Sequence, residues 1–296
     1  MDKFIDARAK LSKKVTLAME KLEDAGFEAY LVGGSLRDIL MGREVHDFDI
    51  TSSAKPEEVM EVFSDFKVIP TGLKHGTVTV LVEDEPLEIT TFRSESGYSD
   101  GRHPDSVSFA KSVEDDLGRR DFTMNAMACR INGELFDLFG GQKDIADKLV
   151  RTVGNAKERF SEDGLRILRA IRFAAVLGFE VEAGTKNAIH QMGYMIEKVS
   201  EERIVSEFNK IMLSEKPSTY LREYKDIICI FIPELEACIG FDQKNHHHVY
   251  DVFEHTLRVV DNMPPKLSLR LAALFHDISK PICFEIGSDG EGHFYG

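Results

Sequence analysis

A chain of 296 residues, 43% hydrophobic and 30% charged, has enough apolar content for more than one core and is neither disordered nor fibrous. Its formal charge of −14 excludes a uniformly basic nucleic-acid-binding surface, because phosphate binding draws on Lys and Arg contacts and counterion release. A nucleic-acid site needs only a local basic stripe, and "RRDF" at 119–122 and "RILRAIRF" at 166–173 supply arginines in a chain otherwise rich in acids.

In chain order, "MDKFIDARAKLSKKVTLAMEKLEDAG" spaces apolar residues at helical intervals among many charges. It reads as a helix rather than a signal peptide or membrane span, and no later run reaches membrane length. "EAYLVGG" is a short apolar strand ending in glycines, "SLRDILMG" a helix from Ser35 to Gly42, and "HDFDIT" a strand. Pro56 suits the first turn of the helix "KPEEVMEVF". "GTVTVLVEDEPLEITTFR" alternates as a two-stranded hairpin, and "SESGYSDGRHPDSVSF" is loop chemistry before a further strand.

From about Lys143 the strand signal fades, and "SEDGLRILRAIRFAAVLGF", "SEERIVSEFNKIMLS" and "STYLREYKDI" are helical by period, with serines in front to cap them. The fold class is therefore α+β, a mixed head followed by an all-helical remainder. Cys129, Cys229, Cys238 and Cys283 lie far apart with no CxxC pair, which fits packed thiols in a reducing compartment, and a cytoplasmic location is expected. The chain ends at "GEGHFYG" with no helix stop or closing apolar segment, the pattern of a chain cut short.

The stretch "LVGGSLRDILMGREVHDFDI" concentrates the chemistry. On a strand, residues i and i+2 share a face, so Asp47 and Asp49 present two carboxylates while Phe48 and Ile50 turn to the core. Two like charges so close call for a cation, and hard divalent ions such as Mg²⁺ take oxygen ligands and leave room for phosphates. Gly33 and Gly34 let backbone approach a ligand, Ser35 opens a helix whose N-terminal N–H groups attract phosphate, and Arg37 adds a permanent charge. The bland alternative is a tight turn followed by an acidic surface strand. Glu88 in "PLEITTFR" offers a third carboxylate, with Leu87 and Ile89 facing the other way, and is equally readable as a solvated strand residue. Asp163 and Arg166, at i and i+3, read as sharing one helix face, where an acceptor and a donor fork fit the Watson–Crick edge of C or A; an Asp–Arg surface pair is the commoner use of that spacing.

"GGSLRD", "DFD", "RRDFTMNAMA", "EDGLRILRAIRF" and "SEERIVSEF", in this order, resemble the class II (bacterial-type) tRNA nucleotidyltransferases and the related poly(A) polymerases. The resemblance runs from about residue 25 to 280. It implies a polymerase-β-like nucleotidyltransferase head at 1–145, a helical neck with a base-selecting helix at 146–215 and a helical body at 216–296. It further implies template-independent addition of C and A to the tRNA 3′ end from CTP and ATP, with a two-metal Mg²⁺ site on Asp47 and Asp49 and a third catalytic acid at Glu88. Gly33, Gly34, Ser35 and Arg37 then serve the triphosphate, and Arg119, Asp121 and Asn125 the ribose and phosphates. Glu162, Asp163 and Arg166 select the base, with Arg169 continuing the stripe. "RSESGYSDGRHP" resembles the family's flexible loop. An alternative of the same class is a poly(A) polymerase or an A-adding or CC-adding enzyme.

"NHHHVYDVFEHTL" and "RLAALFHDISKP" resemble the HD phosphohydrolases. His255, His276 and Asp277 match three of that superfamily's metal ligands and suit a transition metal. Asp289 is too close behind the pair to be assigned as the fourth. A metal-dependent phosphohydrolase is thus the alternative of another class, and a body that keeps the fold without metal chemistry is the bland one.

Overall fold

The first helical period folds as α1 (Lys13–Asp24), which buries Val15, Ala18, Met19 and Leu22 along one face. The computed structural model describes residues 11–45, 47–73, 76–83, 85–96, 106–110, 112–244, 249–288 and 290–294. After α1 come β1 (Ala29–Val32), α2 (Gly33–Leu40), β2 (Asp49–Ser52), α3 (Pro56–Val62), β3 (Lys67–Gly72), β4 (Thr77–Val82) and β5 (Glu85–Thr91). A short hairpin, β6 (Arg93–Ser96) and β7 (Ser106–Phe109), leads to α4 (Val113–Gly118), β8 (Ala128–Cys129), β9 (Leu135–Phe136), α5 (Gly141–Ala146) and α6 (Ala156–Glu162).

Seven strands form one mixed sheet in the order β3-β4-β5-β2-β1-β8-β9. The β2–β5 pair is parallel and its neighbours are antiparallel. β1 lies near the centre and is buried on both sides, so all four of its residues are apolar. Leu31 joins the core with α1, α2 and α3, while Tyr30 and Val32 face Phe92, Val113 and Leu117 on the other side. The expected hairpin is β4–β5, and β4 alternates buried and half-buried residues as a strand covered on one face does. Pro56 is the first residue of α3, as expected, and the Glu58 carboxylate accepts the Lys55 N–H at 2.7 Å.

The contacts divide the chain into two units, Met1–Glu162 and Asp163–Gly296. The first unit runs past the expected boundary at 145 because hydrogen bonds tie the following segment to the head. Thr123 N–H donates to Arg151 O at 2.9 Å and Val153 N–H to Asp121 O at 3.0 Å. Arg151 Nε pairs with Asp144 at 3.1 Å, and Arg159 reaches Gly118 O at 3.3 Å.

The second unit is mainly helical, with α7 (Leu165–Leu177), α8 (Ala183–Met192), α9 (Glu201–Met212), α10 (Pro217–Glu223), α11 (Lys225–Phe231), α12 (Val252–Asn262) and α13 (Leu267–Phe275). Helices α9 to α13 enclose a core that includes Phe208, Met212, Leu221, Leu257 and Leu274. Arg270 is buried in this unit and donates to the carbonyls of Met212, Ser214 and Met263, satisfying groups that α9 and α12 leave open at their C-terminal ends. The serines expected as caps do other work. Ser161 lies inside α6 and donates to Glu158 O, Ser218 lies inside α10 and donates to Asp261, and Ser200 precedes α9 without a side-chain cap bond. Strand signal also returns late, in a hairpin of Phe284–Ile286 with Gly292–Phe294. All four cysteines are free, and burial pushes the Cys129 thiol up to about 12.

Candidate active site

In the first unit, β1 and β2 pair antiparallel with Val32 opposite Asp49. The chain leaves β1 at Val32 and turns at once into α2 through Gly33, whose φ of 72° lies in the left-handed region that favours glycine. The turn is also tight. A Cβ at Gly33 would stand 3.2 Å from Asp49 Oδ2 and 3.3 Å from Arg120 Nη1. The glycine is required on two counts, and it brings the backbone at the head of α2 against a carboxylate. The helix begins at Gly33 rather than at Ser35, and the buried Ser35 hydroxyl donates back to Val32 O at 2.8 Å, locking the turn.

Asp47 lies just ahead of β2 rather than inside it, yet the expected alternation holds. Asp47 and Asp49 are exposed, while Phe48 and Ile50 are buried in the core. The parallel register of β2 with β5 places Glu88 opposite Asp49, with Leu87 and Ile89 buried on the other face. The three acids therefore share one side of the sheet. Asp49 keeps an open edge, but the surrounding protein pushes its carboxyl above the usual range. Arg120 opposes that push, and the charges of Glu88 and Asp47 add to it.

The "RRDF" segment supplies the next layer. Asp121 accepts from Phe122 N–H at 2.8 Å and from Asn125 Nδ2 at 3.3 Å, and Asn125 Oδ1 accepts from Arg37 Nη1 at 2.8 Å. Arg37 is buried and also holds Asp38 at 3.0 Å, so it braces this network from inside. Arg119 lines a pocket of about 300 Å³ together with Ser94, Glu114, Asp115, Arg159 and Glu162. In that pocket Arg159 Nη2 and Glu162 Oε1 are 2.5 Å apart. Two residues that the sequence reading passed over stand between these groups: Asp116, fully buried, and Arg120. Burial alone would push the Asp116 carboxyl up, but Arg120 and Arg119 outweigh it and hold it below the usual carboxylate range. The signal was present as spacing, since Asp116 is i−3 to Arg119 and i−4 to Arg120.

In the second unit Asp163 precedes α7, which starts at Leu165, so it does not share a helix face with Arg166. Its carboxylate accepts the Leu165 N–H at 3.0 Å and pairs with Arg203 Nη2 at 2.7 Å. Arg169 stacks on Phe173, 5.5 Å from the ring centre. His255, His276 and Asp277 come together here, with ligand atoms within 4.8 Å of one another, and no other such group occurs among the described residues. Asp277 Oδ2 lies 3.2 Å from His276 Nε2, 3.6 Å from His255 Nε2 and 2.9 Å from Lys280 Nζ, and His276 Nδ1 is 2.7 Å from Ala273 O. Burial holds the His255 imidazole below its usual range against the pull of Asp277. Most of the expected flexible loop, the histidines at 246–248 and Asp289 lie outside the described residues.

An acid whose carboxyl is raised by folding contributes stability that is present below its unfolded value and is lost as pH rises through the folded one. Without metal, Asp49→Asn should therefore raise the thermal unfolding midpoint of the protein at pH 7 relative to wild type. The difference should vanish as pH falls below the ordinary carboxylate range. Differential scanning calorimetry at several pH values checks this, and a lower midpoint at pH 7 would contradict it.

Residues 29–151 match the family described as "Poly A polymerase head domain", and residues 178–238 match that described as "Probable RNA and SrmB- binding site of polymerase A". The CCA-adding enzyme of Ligilactobacillus salivarius is 50% identical over 214 residues, which are 72% of this chain and 52% of that protein. That of Pediococcus pentosaceus is 43% identical over 259 residues, 88% of this chain and 61% of the relative. The chain thus spans between half and two thirds of the length of these relatives. The crystal structure of the Bacillus stearothermophilus CCA-adding enzyme in complex with CTP matches with a TM-score of 0.65 at 41% identity, covering 71% of this chain and 51% of that one. A tRNA nucleotidyltransferase complexed with a primer tRNA and an incoming ATP analog matches with a TM-score of 0.67 at 28% identity, over 88% of this chain and 75% of that one. With the mixed-sheet head, the helical second unit and the glycine turn set against Asp49, these matches show that the chain belongs to the family of bacterial tRNA nucleotidyltransferases and poly(A) polymerases.

Proposed function

We propose that this protein adds C and A nucleotides to the 3′ end of tRNA without a nucleic-acid template, using CTP and ATP and releasing pyrophosphate. The observation that carries the reading is the packing of the Gly33 turn against Asp49, which sets a helix N-terminus beside paired carboxylates. The relatives' names and the CTP and ATP-analog complexes of related structures support the substrate class. A cytoplasmic location accords with it.

The donor set of Asp47, Asp49 and Glu88 is all carboxylate oxygen on one face of the sheet, which fits a hard divalent cation. When bound, two Mg²⁺ ions on Asp47 and Asp49 supply activation of the attacking hydroxyl and charge stabilisation on the leaving pyrophosphate. The chain's own groups bind and orient. Gly33 and Gly34 offer backbone N–H donors to the triphosphate at the start of α2, and Ser35 and Arg37 hold that turn and its neighbours. Arg119, Asp121 and Asn125 flank the ribose and phosphates. The 3′-hydroxyl oxygen of the tRNA bonds to the α-phosphorus as the bond to the bridging oxygen breaks, and its proton leaves with solvent. Glu162, Asp163 and Arg166, followed by Arg169, read the base. The ion pair with Arg203 would fix Asp163 as an acceptor for the exocyclic amine that C and A share.

A second reading applies to the second unit, where His255, His276 and Asp277 converge. Imidazole and carboxylate donors suit a transition metal, which would draw Asp277 away from Lys280 and support phosphohydrolase chemistry.

The transferase reading is tested with tRNAs ending before each of the last three nucleotides, each NTP and Mg²⁺, resolving products to single nucleotides. Wild type should add C, C and A. Asp47→Ala and Asp49→Ala should each lose at least about a thousandfold in turnover while retaining tRNA binding. Asp163→Ala should narrow the preference for CTP and ATP over UTP and GTP by about tenfold, the cost of one unpaired polar group. Near wild-type turnover in either acid mutant overturns the assignment. The histidine cluster is tested separately by metal analysis. His276→Ala should abolish binding of added Mn²⁺ or Co²⁺ to the second unit and leave nucleotide addition within about twofold, whereas a wild-type protein that takes up no metal there leaves the cluster structural.

A further inference from the structure

The buried carboxylate of Asp116 is wholly inaccessible to solvent and is the hub of the basic segment. Its Oδ1 accepts from Arg119 Nη2 at 2.7 Å, Arg119 Nε at 3.1 Å and the Arg93 N–H at 3.4 Å. Its Oδ2 accepts from Arg120 Nη2 at 3.0 Å. Arg120 is thus held by one corner of its fork. Its Nε is buried with no hydrogen-bond partner, and its Nη1 faces the Gly33 turn, where a Cβ would be 3.3 Å from it and 3.2 Å from Asp49 Oδ2. No ion pair between Arg120 and Asp49 is formed, although the two are close enough for the guanidinium to be the main charge acting against the rise of Asp49. A permanently charged fork with open donors, set beside an acid crowded by two others, would close onto that acid if nothing restrained it.

We propose that Asp116 is a positioning residue that withholds Arg120 from Asp49, keeping the guanidinium beside the glycine turn and the Asp49 carboxylate open to a divalent cation. The inference rests on the reading of Asp47 and Asp49 as cation ligands. Loss of Asp116 frees Arg120 to form a direct pair with Asp49, and the protein's own cation then competes with the metal. Arg119, held by the other oxygen, keeps its anchor on Arg93 O at 3.1 Å.

The test is Mn²⁺ binding to the head carboxylates, followed by electron paramagnetic resonance on the full chain, with the signal of Asp49→Asn subtracted to isolate that site. Asp116→Asn preserves shape and should weaken Mn²⁺ binding there about tenfold, the scale of coupling within one charged network. Adding Arg120→Gln to Asp116→Asn should restore binding to within about twofold of wild type, because no guanidinium remains to compete. A purely structural role predicts the reverse, a double mutant at least as impaired as the single. Arg120→Gln alone, which does not depend on Asp116→Asn folding, should bind Mn²⁺ as tightly as wild type or more tightly. Unchanged binding in Asp116→Asn, absence of rescue in the double mutant, or weakened binding in Arg120→Gln each overturns the inference. Absence of any Asp49-dependent Mn²⁺ signal in wild type instead overturns the reading of the acids on which it rests.

Discussion

The antiparallel pairing of β1 with β2 is the constraint on which the head's chemistry depends. It sets Val32 opposite Asp49, so the strand that ends in glycine delivers its turn to the carboxylate rather than elsewhere along the sheet. Everything nearby follows from that register. A one-residue slip would turn Asp49 into the core and Ile50 outward, since side chains alternate with a period of two. The register is held by Leu31 and Ile50 in a core shared with α1, α2 and α3. The hydrophobic effect fixes the position of a charge that, by itself, the fold would be more stable without.

That tension is visible in the charges around Asp49. The protein packed around its inner edge, Glu88 and Asp47 all act against its ionised form, and Arg120 favours it. The neighbouring acid, Asp116, has the opposite balance: it lies on α4 and pairs with two arginines, Arg119 and Arg120. On the proposed reading, the excess of acid at one point and of base at the next suits a cation and a polyphosphate, two ligands of opposite sign.

Much of this was legible in the sequence because it is periodic or local. The alternation through Asp47, Phe48, Asp49 and Ile50, the hairpin of β4 and β5, the proline at the start of α3 and the stop at Gly42 follow from strand and turn geometry. Glu88 could be named from its strand as a candidate third acid beside a solvated alternative, but its register opposite Asp49 depends on a parallel pairing between strands more than thirty residues apart, which no local pattern fixes. The helix starting at Gly33 instead of Ser35 reflects a glycine's ability to turn straight out of a strand. Asp163 was assigned to a helix by period, but its side chain serves the Leu165 N–H ahead of the first turn, and the local hydrogen bond overrides the pattern. Asp116 was missed because a run of acids before a run of bases looks like a solvated face until burial is known.

The second unit shows the same limit from the other side. His255, His276 and Asp277 are separated in sequence yet converge when α12 and α13 pack, and Lys280 pairs with Asp277 at 2.9 Å. The central claim concerns the head, and anomalous diffraction from crystals of the full chain soaked with Mn²⁺ and CTP tests it most directly. The account predicts an anomalous peak within coordination distance of the Asp47 and Asp49 carboxylates, with the triphosphate at the Gly33 turn; CTP bound in the head without any such peak at those acids would contradict it.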